Sequence, residues 1–155
     1  MKIVLIQAGK SHPPALSELC TTYWQRIARY VPAEVQTLPD LKGKLSPAEQ
    51  SAAEAKQIMQ ALKPGDRLIL LDEKGKSFDS RGFAHFLQKQ FNQGPKRLIL
   101  VIGGPFGFTQ ELYTRADVKL RLSDLTFSHQ VIRLLLAEQL YRAFTILNNE
   151  PYHHD

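Results

Sequence analysis

Cysteine is nearly absent from this chain, and long apolar runs are missing altogether. Cys20 is the only cysteine among 155 residues. A single thiol cannot form an internal disulfide or a cysteine-based zinc site, and it fits a reducing cytoplasm. No run of about 18 apolar residues is present, which argues against a membrane-spanning helix. We therefore expect a cytoplasmic protein with no membrane segment and no bound metal.

Two common nucleotide-binding motifs are also missing. The turn after the first apolar segment reads AGKSHPP, where a dinucleotide-binding protein would carry G-x-G-x-x-G. No G-x-x-x-x-G-K-[ST] sequence occurs, so there is no Walker-type phosphate loop. These absences argue against nicotinamide-dependent and nucleoside-triphosphate enzymes.

The composition is ordinary for a globular protein, with an excess of positive charge. Hydrophobic residues make up 43% and charged residues 23% of the chain. Lys and Arg number 20 against 15 for Asp and Glu, which gives a formal charge of +5. This balance permits a polyanionic partner without requiring one. The apolar start, MKIVLIQAG, is followed at once by polar residues, so a first strand is favoured over a signal peptide.

Apolar segments alternate with amphipathic ones along the chain. The patterns predict strands at residues 2–8, 34–38, 67–72, 98–103 and 118–122. Helices are predicted at residues 15–30, 46–62, 80–94, 109–114 and 128–148. Ser46 is expected to cap the second of them, with Glu49 three residues later. This alternation predicts a single α/β domain over residues 1–155, with a mostly parallel sheet covered by helices on both faces.

The fourth predicted strand opens into a loop rich in glycine. Its apolar run leads into Gly103, Gly104, Pro105 and Gly107. Glycine admits positive φ and close backbone approach, whereas proline fixes φ and removes a donor. A buried strand that opens at its carboxyl end into such a loop is a usual ligand site of open α/β sheets. The alternative is a tight structural turn.

Loops after three predicted strands should meet at one edge of the sheet, because parallel strands share a carboxyl edge. They are the loops at residues 72–76, 103–108 and 123–128. Leu71, Ile102 and Leu125 would then flank a flat aromatic ring, with loop amides reading its edge. The alternative is that all three side chains belong to the core.

His129 and Arg133 lie four residues apart, on one face of the last predicted helix near its start. The positive end of the helix dipole and Arg133 would both favour an anion there, such as an RNA phosphate. A helix cap with solvated side chains is an equal alternative. The same helix is apolar over much of its surface, which suggests that it also faces a second subunit.

Further polar residues follow on this helix and in the segment NNEPYHHD after it. Glu138 and Arg142 are four residues apart and are interpreted as an ordinary surface pair. His153 and His154 either fray without function or provide an imidazole that moves a proton near neutral pH.

Four of these segments together resemble one known family. They read LLDEKGK, LILVIGGPFG, LRLSDLTFSHQVIRLLLAEQLYRAF and NNEPYHH. The whole chain resembles the ribosomal large subunit pseudouridine methyltransferase H family, within the SPOUT class of methyltransferases. The four segments occur in order at plausible spacing, so their combination is more specific than any one of them.

The resemblance implies an activity, a cofactor and a partner. It implies an S-adenosylmethionine-dependent enzyme that methylates N3 of a pseudouridine in 23S rRNA on the assembled ribosome. It also implies a homodimer whose subunits carry a trefoil knot near the carboxyl end. Two subunits double the charge and would let one site draw on both chains.

The resemblance also assigns site residues. The cofactor site would include Leu71, Gly104 and the segment Ser123, Asp124, Leu125, Thr126, Phe127 and Ser128, bordered by Gly103 and Leu122. The residues near the target nucleotide would be His129, Arg133, Tyr152 and His153. His154 matches a variable position, and Asp155 stands where some relatives have a glutamate or a basic ending.

These assignments fit the chemistry of methyl transfer. The in-line displacement needs aligned reactants and little covalent help from the protein. The N3 proton of the target must leave, and His153 could accept it directly or through water. Arg133 could stabilise the developing negative charge. Two alternatives are a ribosome-binding module that no longer transfers methyl and a flavodoxin-like protein that binds flavin.

Overall fold

The structure is a computed structural model that describes residues 1–9 and 13–154. The polar bend expected around residues 10–14 falls in part outside the described residues, and Asp155 lies outside them as well. Strands and helices alternate along the described chain, as the sequence predicts.

The described residues form one sheet of five parallel strands. The strands are β1 (Lys2–Ala8), β2 (Ala33–Leu38), β3 (Asp66–Lys76), β4 (Arg97–Ile102) and β5 (Val118–Leu120). Their order across the sheet is β2-β1-β4-β3-β5, and each neighbouring pair is parallel. The strand that opens into the glycine-rich loop, β4, is therefore the central one.

Helices cover both faces of this sheet. They are α1 (Pro14–Ile27), α2 (Pro47–Ala61), α3 (Ser80–Asn92), α4 (Gln110–Arg115) and α5 (His129–Leu147). Apolar residues of α1, α3 and α5 pack in one cluster, on one face of the sheet. Those of α2 and α4 pack in a second cluster, on the other face. The predicted α/β class, with helices on both sides of a parallel sheet, is confirmed.

The burial of β4 shows why its sequence is a continuous apolar run. Leu98 and Leu100 contribute to the cluster with α1, α3 and α5, whereas Ile99 and Val101 contribute to the cluster with α2 and α4. Each of these side chains is completely buried. Successive side chains of a strand point to opposite faces, so a strand covered on both sides needs apolar residues throughout.

The main departure from the predicted elements is in β3, which continues through residues 72–76 where a loop is predicted. Leu71 and Lys76 both pair with Leu120 of β5, so β3 bulges between them. Gly75 permits this close approach, because a Cβ atom there would lie 2.6 Å from the backbone of Leu120. The sequence EKGK has low strand propensity, and the pairing with β5 overrides it.

Several other predicted boundaries are displaced by one to three residues. The last strand ends at Leu120 instead of residue 122, and α1 ends at Ile27 instead of residue 30. The Ser46 prediction is confirmed: its side chain accepts a hydrogen bond from Glu49 N–H, and the Glu49 carboxylate accepts one from Ser46 N–H. This capping box fixes the start of α2.

Candidate active site

A cleft of about 780 Å³ opens where β3, β4 and β5 end. The three loops at the carboxyl edge of the sheet do converge on it, although the first of them is part of β3. Its walls are formed by residues 71–74, 102–108 and 120–127, together with Tyr113, His129 and Ile132. The cleft is of the size that proteins use to bind small molecules.

Most of the residues predicted to bind the cofactor line this cleft. They are Leu71, Gly103, Gly104, Leu122, Ser123, Asp124, Leu125, Thr126 and Phe127. Ser128 is different, because its hydroxyl accepts a hydrogen bond from Val131 N–H at 3.3 Å and caps α5. Its role in the structure is the helix cap, which is the alternative considered for the start of this helix.

The three apolar residues expected to flank an aromatic ring have different surroundings. Ile102 is 4% exposed and belongs to the core, and Leu71 packs against the same core from a half-buried position. Leu125, by contrast, is 74% exposed and lies on the wall of the cleft. The core interpretation is therefore right for Ile102, while Leu125 offers apolar surface that a ligand can cover.

Two hydrogen bonds and an ion pair hold the wall of the cleft that contains Leu125. Arg121 donates its backbone N–H to Lys76 O at 2.9 Å, and its guanidinium forms an ion pair with Asp124 at 3.1 Å. Ser123 Oγ accepts a hydrogen bond from Leu125 N–H at 3.0 Å. The extension of β3 thus positions the segment that the family resemblance assigns to the cofactor.

Asp72 and Tyr113 form a polar pair on the cleft wall that the site prediction does not include. Tyr113 Oη donates a hydrogen bond to Asp72 Oδ2, and Lys74 N–H donates one to Oδ1 at 2.8 Å. Burial and the Asp72 contact raise the pKa of Tyr113 to about 12, so its hydroxyl stays a donor at neutral pH. Asp72 could have been suspected because it ends a predicted strand, whereas no spacing pointed to Tyr113.

Of the predicted residues near the target nucleotide, only His129 lines the cleft. Arg133 is 5% exposed, and its guanidinium donates to the backbone oxygens of Ala8 and Gly9. Burial lowers the pKa of Arg133 from its ordinary value, and electrostatic interaction with Cys20 opposes the change. Arg133 thereby joins the end of β1 to α5.

Tyr152 and His153 lie against the second half of α5, in a segment (residues 148–154) that we call the tail. Tyr152 Oη donates to Glu138 Oε1 at 3.1 Å, and Arg142 donates to the same oxygen at 2.6 Å. The Arg142 guanidinium also lies 4.8 Å from the centre of the Tyr152 ring. Glu138 and Arg142 do form the predicted ion pair, but it is more than an ordinary surface pair, because the two side chains together hold the tail.

Arg142 also contacts the imidazole of His153. Its Nη1 lies 3.3 Å from His153 Nδ1. A guanidinium can only donate, so Nδ1 accepts and the neutral imidazole carries its proton on Nε2. In this arrangement Arg142 uses the Nδ1 lone pair, and Nε2–H is the donor of the ring. Burial, with hydrogen bonds to Tyr23 and Glu138, raises the pKa of Tyr152, so this phenol is a donor as well.

The tail and the cleft are at different ends of α5. His129 begins the helix and Arg142 follows thirteen positions later, which corresponds to about 20 Å along the helix axis. Within one chain, Tyr152 and His153 therefore do not reach the cleft that contains His129. The structure brings together the predicted cofactor residues but not the predicted catalytic residues.

Comparison with known proteins identifies the family. The chain matches the family described as "Predicted SPOUT methyltransferase" over residues 1–153. The chain belongs to the SPOUT methyltransferase family. Named relatives extend this result: the "Ribosomal RNA large subunit methyltransferase H" of Parabacteroides distasonis is 50% identical, and that of Christiangramia forsetii is 48% identical. The first alignment covers 100% of both chains and the second 99% of both.

Solved structures include a more distant likeness. A putative RNA methyltransferase from Bacillus anthracis has a TM-score of 0.48 and 14% identity, with 97% of this chain and 96% of that chain covered.

Among residues 1–9 and 13–154, no group of three or more His, Cys, Asp or Glu side chains is arranged to hold a metal ion. In the same part of the SPOUT chain, no helix is long and apolar enough to cross a membrane.

Proposed function

We propose that this protein transfers a methyl group from S-adenosylmethionine to N3 of a pseudouridine in 23S rRNA of the assembled ribosome, in the cytoplasm. The proposal is supported by full-length similarity to relatives named for ribosomal RNA methylation. The observation that carries it is the convergence of the family-like segments LLDEKGK, GGPFG and LRLSDLTFSH on one cleft.

The lining of the cleft supports S-adenosylmethionine as the cofactor. Leu71, Leu122 and Leu125 provide apolar surface for the adenine ring, and the Asp72 carboxylate can accept hydrogen bonds from hydroxyl or ammonium groups. The cofactor supplies an electrophilic methyl group carried on a sulfonium. The protein's part is to hold that group in line with the target nitrogen, since alignment provides most of the acceleration.

We further propose that the active unit is a homodimer in which the tail of one subunit completes the cleft of the other. The separation of about 20 Å along α5 prevents a chain from using its own tail at its own cleft. Exposed apolar surface outside the cleft, near the start of α5, supports a second subunit: Val131 is 38% exposed. The trefoil knot near the carboxyl end remains a prediction from the family resemblance.

In this dimer, His153 would act on the target base as a hydrogen-bond donor, while the hydrogen bond from Tyr152 to Glu138 holds the tail in place beside it. With its Nδ1 held by Arg142, neutral His153 stabilises the negative charge that loss of the N3 proton leaves, and water takes the proton. Arg133 contributes positive charge near the start of α5. Its hydrogen bonds to the backbone oxygens of Ala8 and Gly9, at the end of β1, hold it there.

The test of the reaction is transfer of radiolabelled methyl from S-adenosylmethionine to assembled ribosomes, with free ribosomal RNA alongside. We expect label on the ribosomes that maps to N3 of one pseudouridine. Absence of label on both substrates, from a protein that binds the cofactor, would overturn the proposed target. Absence of cofactor binding would instead favour a ribosome-binding module.

The test of the tail is His153→Ala, with His154→Ala as the matched control. We expect His153→Ala to lower turnover by at least tenfold while the affinity for S-adenosylmethionine stays unchanged, because the tail does not form the cofactor site. His154→Ala should leave both quantities as they are. Unchanged turnover in His153→Ala would remove this residue from the mechanism.

A further inference from the structure

Glu54 is a buried carboxylate that no part of the mechanism above uses. It lies on α2, 7% exposed, and faces the loop at residues 103–108, which we call the glycine loop. Its Oε2 accepts a hydrogen bond from Gly104 N–H at 3.1 Å, and its Oε1 accepts one from Gln50 Nε2 at 3.0 Å. Among the described residues, no cationic side chain lies within ion-pair distance of it.

The same contact explains why residue 104 is a glycine. A Cβ atom built on Gly104 would lie 2.3 Å from Glu54 Oε1 and 2.5 Å from Oε2. Gly104 does not have a positive φ, so its backbone conformation alone does not require glycine. The requirement comes from the approach of Glu54, and the Gly104 amide is used by this carboxylate.

Other contacts hold the rest of the glycine loop. Ser51, one turn before Glu54 on α2, donates its hydroxyl to Phe106 O at 3.4 Å. At the start of the loop, a Cβ atom on Gly103 would lie 2.8 Å from the ring of Phe108. The loop is thus fixed at Gly103 by its own aromatic residue and at Gly104 and Phe106 by α2.

We propose that Glu54 is a positioning residue, which sets the affinity for S-adenosylmethionine by holding the glycine loop against α2. This inference rests on the proposed function, since it takes the cleft as the cofactor site. A buried carboxylate is costly unless it is hydrogen-bonded, so losing its bond to the Gly104 amide is unfavourable, and this restrains the loop. Glu54 acts through the loop and does not touch the cofactor.

The first test measures cofactor affinity and steady-state kinetics. We expect Glu54→Ala to weaken S-adenosylmethionine binding by about tenfold and to raise the KM for the cofactor, with little change in the KM for ribosomes. Glu54→Gln keeps an oxygen acceptor for the Gly104 amide and should stay within about threefold of wild type. Gln60→Ala, at an exposed position of α2, is the matched control. Wild-type affinity in Glu54→Ala would overturn the proposal.

The second test is a double-mutant cycle with Gly104→Ala. In the wild-type background the added methyl group meets the Glu54 carboxylate, so cofactor affinity should fall. In the Glu54→Ala background that space is vacated, and Gly104→Ala should cause no further loss. An equal loss in both backgrounds would mean that the cofactor itself requires glycine at this position, and the proposal would be wrong.

A third measurement does not depend on the cofactor. In wild-type protein without ligand, the Gly104 amide should exchange slowly with solvent, and Glu54→Asp, whose shorter side chain retreats from the loop, should make it exchange at least tenfold faster. If wild type does not bind S-adenosylmethionine, the proposed function fails, while this measurement still decides the role of Glu54. Unchanged exchange in Glu54→Asp would refute the anchoring.

Discussion

At the scale of single residues, Ser128 has two possible roles that a mutation can distinguish: it caps a helix or it binds the cofactor. Its hydroxyl accepts from Val131 N–H, so Ser128→Ala should destabilise the protein by about 1 kcal/mol. Ser128→Asp keeps a capping oxygen and should restore that stability. Cofactor affinity should be the same in both variants, as measured by calorimetry beside urea denaturation.

The control for Ser128 is Ser46→Ala, which removes the equivalent cap from α2. It should show the same loss of stability and unchanged cofactor binding. Weaker binding in Ser128→Ala and Ser128→Asp, but not in Ser46→Ala, would return Ser128 to the cofactor site that the family resemblance assigned to it.

Tyr113 is a second residue whose role can be tested by mutation. Its hydroxyl donates to the Asp72 carboxylate and fixes it on the cleft wall. Tyr113→Phe should weaken S-adenosylmethionine binding by about threefold to tenfold, since Asp72 loses a donor. The pKa of Tyr113 is raised to about 12, so the phenol stays protonated, and the ratio of the dissociation constants of Tyr113→Phe and wild type should be the same at pH 7 and pH 9. Dissociation constants at both pH values provide the measurement.

Tyr30→Phe is the matched control for Tyr113→Phe. Tyr30 also donates to a carboxylate, that of Glu150, and its pKa is likewise raised to about 12, but it does not line the cleft. It should leave cofactor affinity unchanged. Equal affinities in the two variants would show that the Asp72 pair has no part in binding.

At the scale of elements, one ion pair joins the amino ends of β3 and β4. Arg97 donates to both carboxylate oxygens of Asp66, and it also donates to Ala61 O at the end of α2. Burial by itself raises the pKa of Asp66, but the hydrogen bonds from Arg97 and from Lys63 N–H outweigh it and hold the pKa below its ordinary value. The charged carboxylate is thus favoured in the folded protein.

The sign of this shift predicts a dependence on pH. Because the folded-state pKa is lowered, the stabilisation is present above the unfolded-state pKa of about 4 and is lost as the pH falls through the folded value. Asp66→Asn should be about 3 kcal/mol less stable than wild type at pH 7. The difference should shrink in urea denaturation as the pH falls below the unfolded-state pKa. Asp40→Asn, at an exposed position, should show no such change.

At the scale of the whole molecule, complementation tests whether two subunits share each site. One variant carries His153→Ala in the tail, and the other carries Gly103→Val, whose side chain would displace Phe108 from the cleft. If tails act across the dimer, each mixed dimer contains one intact site. Two proteins of low activity should then become more active when they are mixed and allowed to exchange subunits.

The expected activity of the mixture follows from symmetry. Random exchange makes half of the dimers mixed, so roughly a quarter of all sites should be intact. Sites formed within single chains would give no recovery at all. A monomer at micromolar concentration by gel filtration would exclude the shared site independently.

The elements of this fold could be read from the sequence because they depend on local patterns. The apolar run at 98–102 specified a strand buried on both faces, and Ser46 with Glu49 specified the start of α2. The extension of β3 over EKGK could not be predicted, because it depends on the close approach of Gly75 to Leu120. A contact between positions 45 residues apart leaves no local signal.

For the candidate site, the sequence by itself determined the order of the segments, their family and the residues of the cleft that follow strand ends. These are properties of local pattern and of likeness to relatives. Only the tertiary structure decided that Glu54 and Tyr113 approach the cleft region, and that Glu138 and Arg142 hold Tyr152 and His153 about 20 Å from His129 along α5. Those arrangements are set by how the helices pack on the two faces of the sheet, which no spacing along the chain records.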